Sequence, residues 1–173
     1  GLSLGAGVTM SQIRDSLPIP ALQQAAAGIG GPAVQNMATV GGNIFARQPY
    51  GDVAVVLLAL DATVTFSTVN GEQTQKLEDF YASGAEADGL LTRIDCAAPG
   101  GELVYLKCGR RRFNSPTVIA VADSIAAMGT LAMGEGAEGT PVALVRGAER
   151  WVSDEDGAGA VSGLRPVEQD MFR

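Results

Sequence analysis

Eight consecutive apolar residues, Val53 to Leu60, follow directly on Asp52. The run is far short of the roughly 20 residues that a membrane-spanning helix requires. It predicts instead a short helix that is apolar on every side and must be covered on every side. A chain of 173 residues can supply that cover, as one domain or two small ones at a typical size of roughly 150 residues. Asp52 stands where it would cap the helix.

Composition narrows the chemistry further. The chain is 46% hydrophobic and 18% charged, which describes a globular protein, and its 12 basic and 19 acidic side chains give a formal net charge of −7. That balance argues against holding nucleic acid or an anionic membrane by bulk charge, since both need a basic face. There is no histidine. Histidine-dependent nucleophiles, imidazole metal sites and four-thiolate clusters are therefore excluded within the chain. Cys96 and Cys108 fall in separate apolar segments; a disulfide is possible but unforced, and both are read as free, packed thiols.

Along the chain, Thr9-Met10-Ser11-Gln12 has capping-box spacing and predicts a helix over 10–17, stopped by Pro18 and Pro20. Helix formers over 21–27 predict a second, ended by Gly28, Gly30, Gly31 and Pro32, with a glycine-rich loop beyond. From Thr63 the period changes to two, and Asn70-Gly71 predicts a type I′ hairpin turn into a second strand over 72–77. A short helix over 77–83 and a strand over 90–97 follow, closed by Pro99-Gly100-Gly101, the best candidate boundary. Beyond it, 103–108, 118–128 and 140–145 read as strands, 134–139 as a loose turn and 147–152 as the start of a helix. Strands and helices without regular alternation indicate an α+β chain.

Three features could carry chemistry. Gly41-Gly42, between Thr39-Val40 and Asn43, could reach positive φ and present amide donors to an anion, or could be an ordinary turn. Asp52 could be a plain helix cap, or an acceptor for ligand hydroxyls or a ring N–H. Lys107 lies inside an apolar strand between Leu106 and Cys108, whereas Arg110, Arg111 and Arg112 read as surface decoration or as partners for acidic groups.

Placed in order, these residues resemble the FAD-binding medium subunit, or flavin domain, of the molybdenum hydroxylases, which include carbon monoxide dehydrogenase and xanthine dehydrogenase. The resemblance rests on Val34-Gln35-Asn36-Met37-Ala38-Thr39-Val40-Gly41-Gly42-Asn43-Ile44, then Pro49-Tyr50-Gly51-Asp52 and Leu58-Ala59-Leu60-Asp61-Ala62. Leu90-Leu91-Thr92-Arg93-Ile94 and Lys107-Cys108-Gly109-Arg110-Arg111-Arg112 continue it. It implies an FAD site formed by Ile29, Thr39, Val40, Gly41, Gly42, Asn43, Asp52, Leu91 and Lys107. Gly41 and Gly42 would bring backbone donors to the cofactor, Asn43 and Asp52 would bond its polar edge or ribityl chain, Ile29 and Leu91 would pack its ring faces, and Lys107 would place a positive charge beside it.

The resemblance further implies the second lobe of a two-lobed FAD-binding domain over 1–97, with a mixed or antiparallel sheet and flanking helices. A small, incomplete α+β C-terminal domain would follow over 102–173. No first lobe precedes Leu2, so a partial chain is expected. It also implies a cytoplasmic electron-transfer role beside a large subunit holding the molybdenum cofactor and a small subunit holding [2Fe-2S] clusters, with NAD among the possible acceptors. A cofactor-free assembly module is the competing expectation.

Overall fold

The computed structural model describes residues 1–46, 51–101, 103–108, 117–122, 125–130 and 143–146. Two four-stranded antiparallel sheets are present. The first has the order β1 (Leu2–Gly5), β4 (Leu90–Cys96), β2 (Thr63–Thr68), β3 (Gly71–Lys76). The second runs β5 (Leu103–Cys108), β6 (Thr117–Ala122), β7 (Ile125–Thr130), β8 (Ala143–Arg146). Between and around them lie α1 (Met10–Ser16), α2 (Pro20–Ala27), α3 (Pro32–Met37), α4 (Val40–Ile44), α5 (Asp52–Ala59) and α6 (Leu77–Ala82). The α+β class read from the sequence holds.

The apolar run does become the enclosed helix. Every residue of α5 is buried, because it packs against α2, α4 and α6 and also against β6 and β7 of the second sheet. One buried cluster joins it to Leu4, Val64, Phe66, Leu91, Ile94 and Cys96 of the first sheet. Along β4 the buried positions Leu91, Ile94 and Cys96 break strict alternation. The register shifts at Thr65/Phe66, and the extra residue this inserts returns Leu91 and Ile94 to the same face. Burial pushes the Cys96 thiol up to about 11, with the Asp95 charge adding to it, so the group stays neutral at neutral pH. Cys96 is a free thiol.

Several elements differ from expectation. Pro32, expected among the residues that end the second helix ahead of a glycine-rich loop, instead starts α3 as its first helical residue, because a missing N–H costs nothing in the first turn. The hairpin turn sits one residue earlier than Asn70-Gly71: Thr68 pairs with Gly71, and of the turn residues Gly71 alone has positive φ, at 109°. With negative φ at Val69 and Asn70, the turn is not type I′. The single strand expected over 118–128 is two, β6 and β7, paired from Ala122 opposite Ile125 outward. The turn over 134–139, the helix from 147 and the arginines at 110–112 lie outside the described residues. Among the described residues, no helix is long and apolar enough to cross a membrane.

Candidate functional site

The two glycines do not form a loop; they lie in the first turn of α4. Thr39 caps it, its Oγ1 accepting the Gly42 N–H at 3.1 Å. The Val40 and Gly41 N–H groups donate to the Val8 and Ala6 carbonyls at 2.8 and 2.9 Å, and the Asn43 N–H donates to the Thr39 carbonyl at 2.9 Å. The donors expected to face an anion are thus engaged by the chain itself, and neither glycine has positive φ. Gly41 is needed for a different reason. A Cβ there would stand 3.1 Å from the Ala6 carbonyl oxygen and 3.2 Å from the Ala6 Cβ, so a bare backbone lets α4 lie against the end of β1. Gly42 is exposed.

Asn43 and Asp52 meet at the start of α5. Gly51, not Asp52, is the N-cap residue, and it makes no side-chain cap. The cap comes from α4: Asn43 Oδ1 accepts the Ala54 N–H at 2.9 Å. A side chain on Gly51 would run into the Asn43 amide, so the bare residue admits this reach. Asn43→Ala should lower the unfolding free energy by about 1 kcal/mol, the usual cost of an N-cap, read by urea denaturation; an unchanged midpoint would show that the Ala54 N–H has another acceptor.

Asp52, freed from capping, turns to the second sheet. Its Oδ2 accepts from Lys107 Nζ at 2.5 Å and from the Tyr105 hydroxyl at 3.2 Å. Lys107 Nζ also donates to the Gly28 carbonyl at the end of α2, at 3.0 Å. The Asp52 and Lys107 side chains are 10% and 16% exposed. Burial pushes the Asp52 carboxyl up from its ordinary value, against the downward pull of Lys107 and Tyr105. Burial and the neighbouring Asp52 charge likewise hold the Tyr105 hydroxyl far above its ordinary value, so it remains a donor. A Cβ on Gly28 would lie 3.3 Å from both charged atoms, which explains glycine at this helix end.

The structure therefore gathers Asn43, Asp52 and Lys107 around the start of α5, with Ile29 one residue beyond the Gly28 carbonyl that Lys107 holds, and Thr39, Gly41 and Gly42 at the start of the adjoining helix α4. It does not bring the rest with them. Val40 is fully buried in the core, and Leu91 is 6% exposed opposite Phe66 on the inner face of the first sheet. Tyr105 was missed, although period two in β5 puts it on the same face as Lys107.

Unused polar groups remain at this junction. Among the described residues no donor reaches Asp52 Oδ1, no acceptor reaches Asn43 Nδ2, and one of the three Lys107 ammonium hydrogens has no acceptor. On a residue as buried as Asp52, a carboxylate oxygen without a donor suits one from a ligand or water. An acceptor beside two donors suits the edge of a heterocycle or a polyol, so these residues fit a flavin.

Comparison with known proteins agrees on the larger part of the chain. Residues 1–96 match the family described as FAD binding domain in molybdopterin dehydrogenase. The nicotinate dehydrogenase FAD-subunit of Eubacterium barkeri is 29% identical over 131 residues, which cover 68% of this chain and 44% of that protein. Quinoline 2-oxidoreductase from Pseudomonas putida 86 shares the fold, with a TM-score of 0.75 at 21% identity over 99% of this chain and 69% of that one. The chain belongs to the family of FAD binding domains in molybdopterin dehydrogenases, and it spans less than half the length of the curated relative named above. A second family model, F420-0:Gamma-glutamyl ligase, matches residues 108–147. The coenzyme F420:L-glutamate ligase of Methanocaldococcus jannaschii is 40% identical over 57 residues, 33% of this chain and 22% of that protein. Nothing in the reading of 102–173 as a flavin-subunit domain anticipated this second match.

Proposed function

We propose that the chain is part of the FAD-binding electron-transfer subunit of a multi-subunit molybdenum-containing hydroxylase or dehydrogenase, with its flavin contacts at the start of α5. The observation that carries this is the buried Asp52, whose Oδ1 no donor reaches among the described residues, at a helix start that also holds Asn43 Nδ2 and a third Lys107 hydrogen with no acceptor among those residues. When bound, FAD supplies the redox chemistry, accepting and passing on electrons. Asp52 would hold a cofactor hydroxyl or N–H, Asn43 would donate to an acceptor edge, and Ile29 would pack an apolar face. Lys107 is already balanced by Asp52, so it acts more as a donor than as an uncompensated charge.

The reading includes partners of the kind family membership implies. Electrons would arrive from [2Fe-2S] clusters of a small subunit, fed by a large subunit holding the molybdenum cofactor, and leave to an acceptor such as NAD in the cytoplasm. It also takes 1–97 as the second lobe of a flavin domain and 102–173 as a C-terminal domain. For residues 108–147 the ligase match supports a second reading, a segment of F420-ligase type.

One titration tests these. The chain should quench FAD fluorescence saturably, and Asp52→Asn should weaken binding about tenfold, as expected for losing one charged hydrogen bond. Undiminished FAD fluorescence with excess protein would remove the cofactor role and leave the assembly-module reading. Saturable quenching of coenzyme F420 fluorescence by the same chain would favour the second reading for 108–147.

A further inference from the structure

Gln35 is a polar side chain with 4% exposure in the middle of α3, and the proposed cofactor contacts do not use it. Burying an amide is unfavourable unless both its ends are bonded, and both are. Its Nε2 donates to the Ala27 carbonyl at 3.1 Å, and its Oε1 accepts from Arg14 on α1. Ala27 is the last residue of α2, and the next carbonyl, that of Gly28, is the one Lys107 holds. The loop over 28–31 therefore leaves α2 between two side-chain donors from different elements, one from α3 and one from β5. Its return is fixed as well. Gly30 has φ +53°, where a Cβ would stand 2.9 Å from the Val34 side chain, and the Gln35 N–H donates to the Gly31 carbonyl at 3.0 Å.

We propose that Gln35 is a positioning residue, holding the end of α2 from one side as Lys107 holds it from the other, so that the 28–31 loop presents Ile29 in one fixed place. The consequence for cofactor binding rests on the flavin reading above; the clamp itself does not. Gln35→Glu separates the two bonds, because a carboxylate still accepts from Arg14 but has no hydrogen for the Ala27 carbonyl.

Two measurements on the full chain decide it. Amide hydrogen exchange should accelerate about tenfold at Gly28 and Ile29, the loss of one hydrogen bond, with the interior of α5 unchanged. These two amides donate to the Gln24 and Ala26 carbonyls at 3.1 and 3.2 Å and so report directly on the end of α2. Exchange that stays as in wild type, or that rises evenly through the fold, overturns the clamp. FAD affinity should fall several-fold in the same variant, and an unchanged affinity with locally faster exchange overturns the positioning role. A wild-type chain that binds no FAD would overturn the cofactor reading instead, and the exchange result alone would then decide the clamp.

Discussion

Lys107→Met is expected to cost about 3 kcal/mol of unfolding free energy at neutral pH, because removing one member of a buried pair leaves the other charge uncompensated. Among the described residues Asp52 would keep only the Tyr105 hydroxyl, in a place where burial already raises its carboxyl above the ordinary value. Without Lys107 that raised value climbs further. A carboxyl raised on folding withdraws stability as pH rises from its unfolded value, about 3.9, through its folded one. The deficit should accordingly be small near about pH 4 and larger at about pH 7. Adding Asp52→Asn should recover most of it, since neither charge then remains and the amide can still accept from Tyr105. Urea denaturation of both variants at the two pH values provides the check. A deficit independent of pH, or a double variant no better than the single, would show that no uncompensated charge had been created.

Phe80→Ala should cost about 4 kcal/mol. The ring is wholly buried and stands 5.3 Å from Phe66, 5.5 Å from Phe45 and 5.7 Å from Tyr81, centre to centre. Its loss would also disturb the candidate site from behind. Phe45 is the C-cap residue of α4, and the Tyr81 hydroxyl donates to the Ile44 carbonyl at the same helix end, at 2.8 Å. Phe80→Leu, which keeps most of the volume, should cost less than about 1.5 kcal/mol. Near-equal costs for the two variants, measured by urea denaturation, would mean that the volume filled at this position does not set the loss.

The sequence was most legible where one physical rule acted alone. The capping box at Thr9 and Gln12 appears as expected, with both reciprocal bonds made, and the apolar run could only be an enclosed helix. The glycine pair shows the opposite case. Gly41 and Gly42 permit positive φ but do not require it, and what settles their conformation is the Ala6 and Val8 carbonyls, over thirty residues earlier in the chain. Asp52 was misread as the cap for a similar reason. A carboxylate beside a helix start suits either task, and the reach of Asn43 from another helix is a tertiary fact. Lys107 was singled out by its apolar neighbours, whereas Tyr105 and Gln35 carried no sign beyond strand period and position.

The complete enclosure of α5 bears on where the molecule can be divided. The sequence offers a seam at Pro99-Gly100-Gly101, and the strands on either side of it do fall in different sheets. Yet the helix that the first half folds around is roofed by β6 and β7 from the second. The interior of the first half is therefore completed from the second. Lifting the second sheet would wet the same greasy rod that anchors the first, so a cut at the seam would leave the first half with an open side.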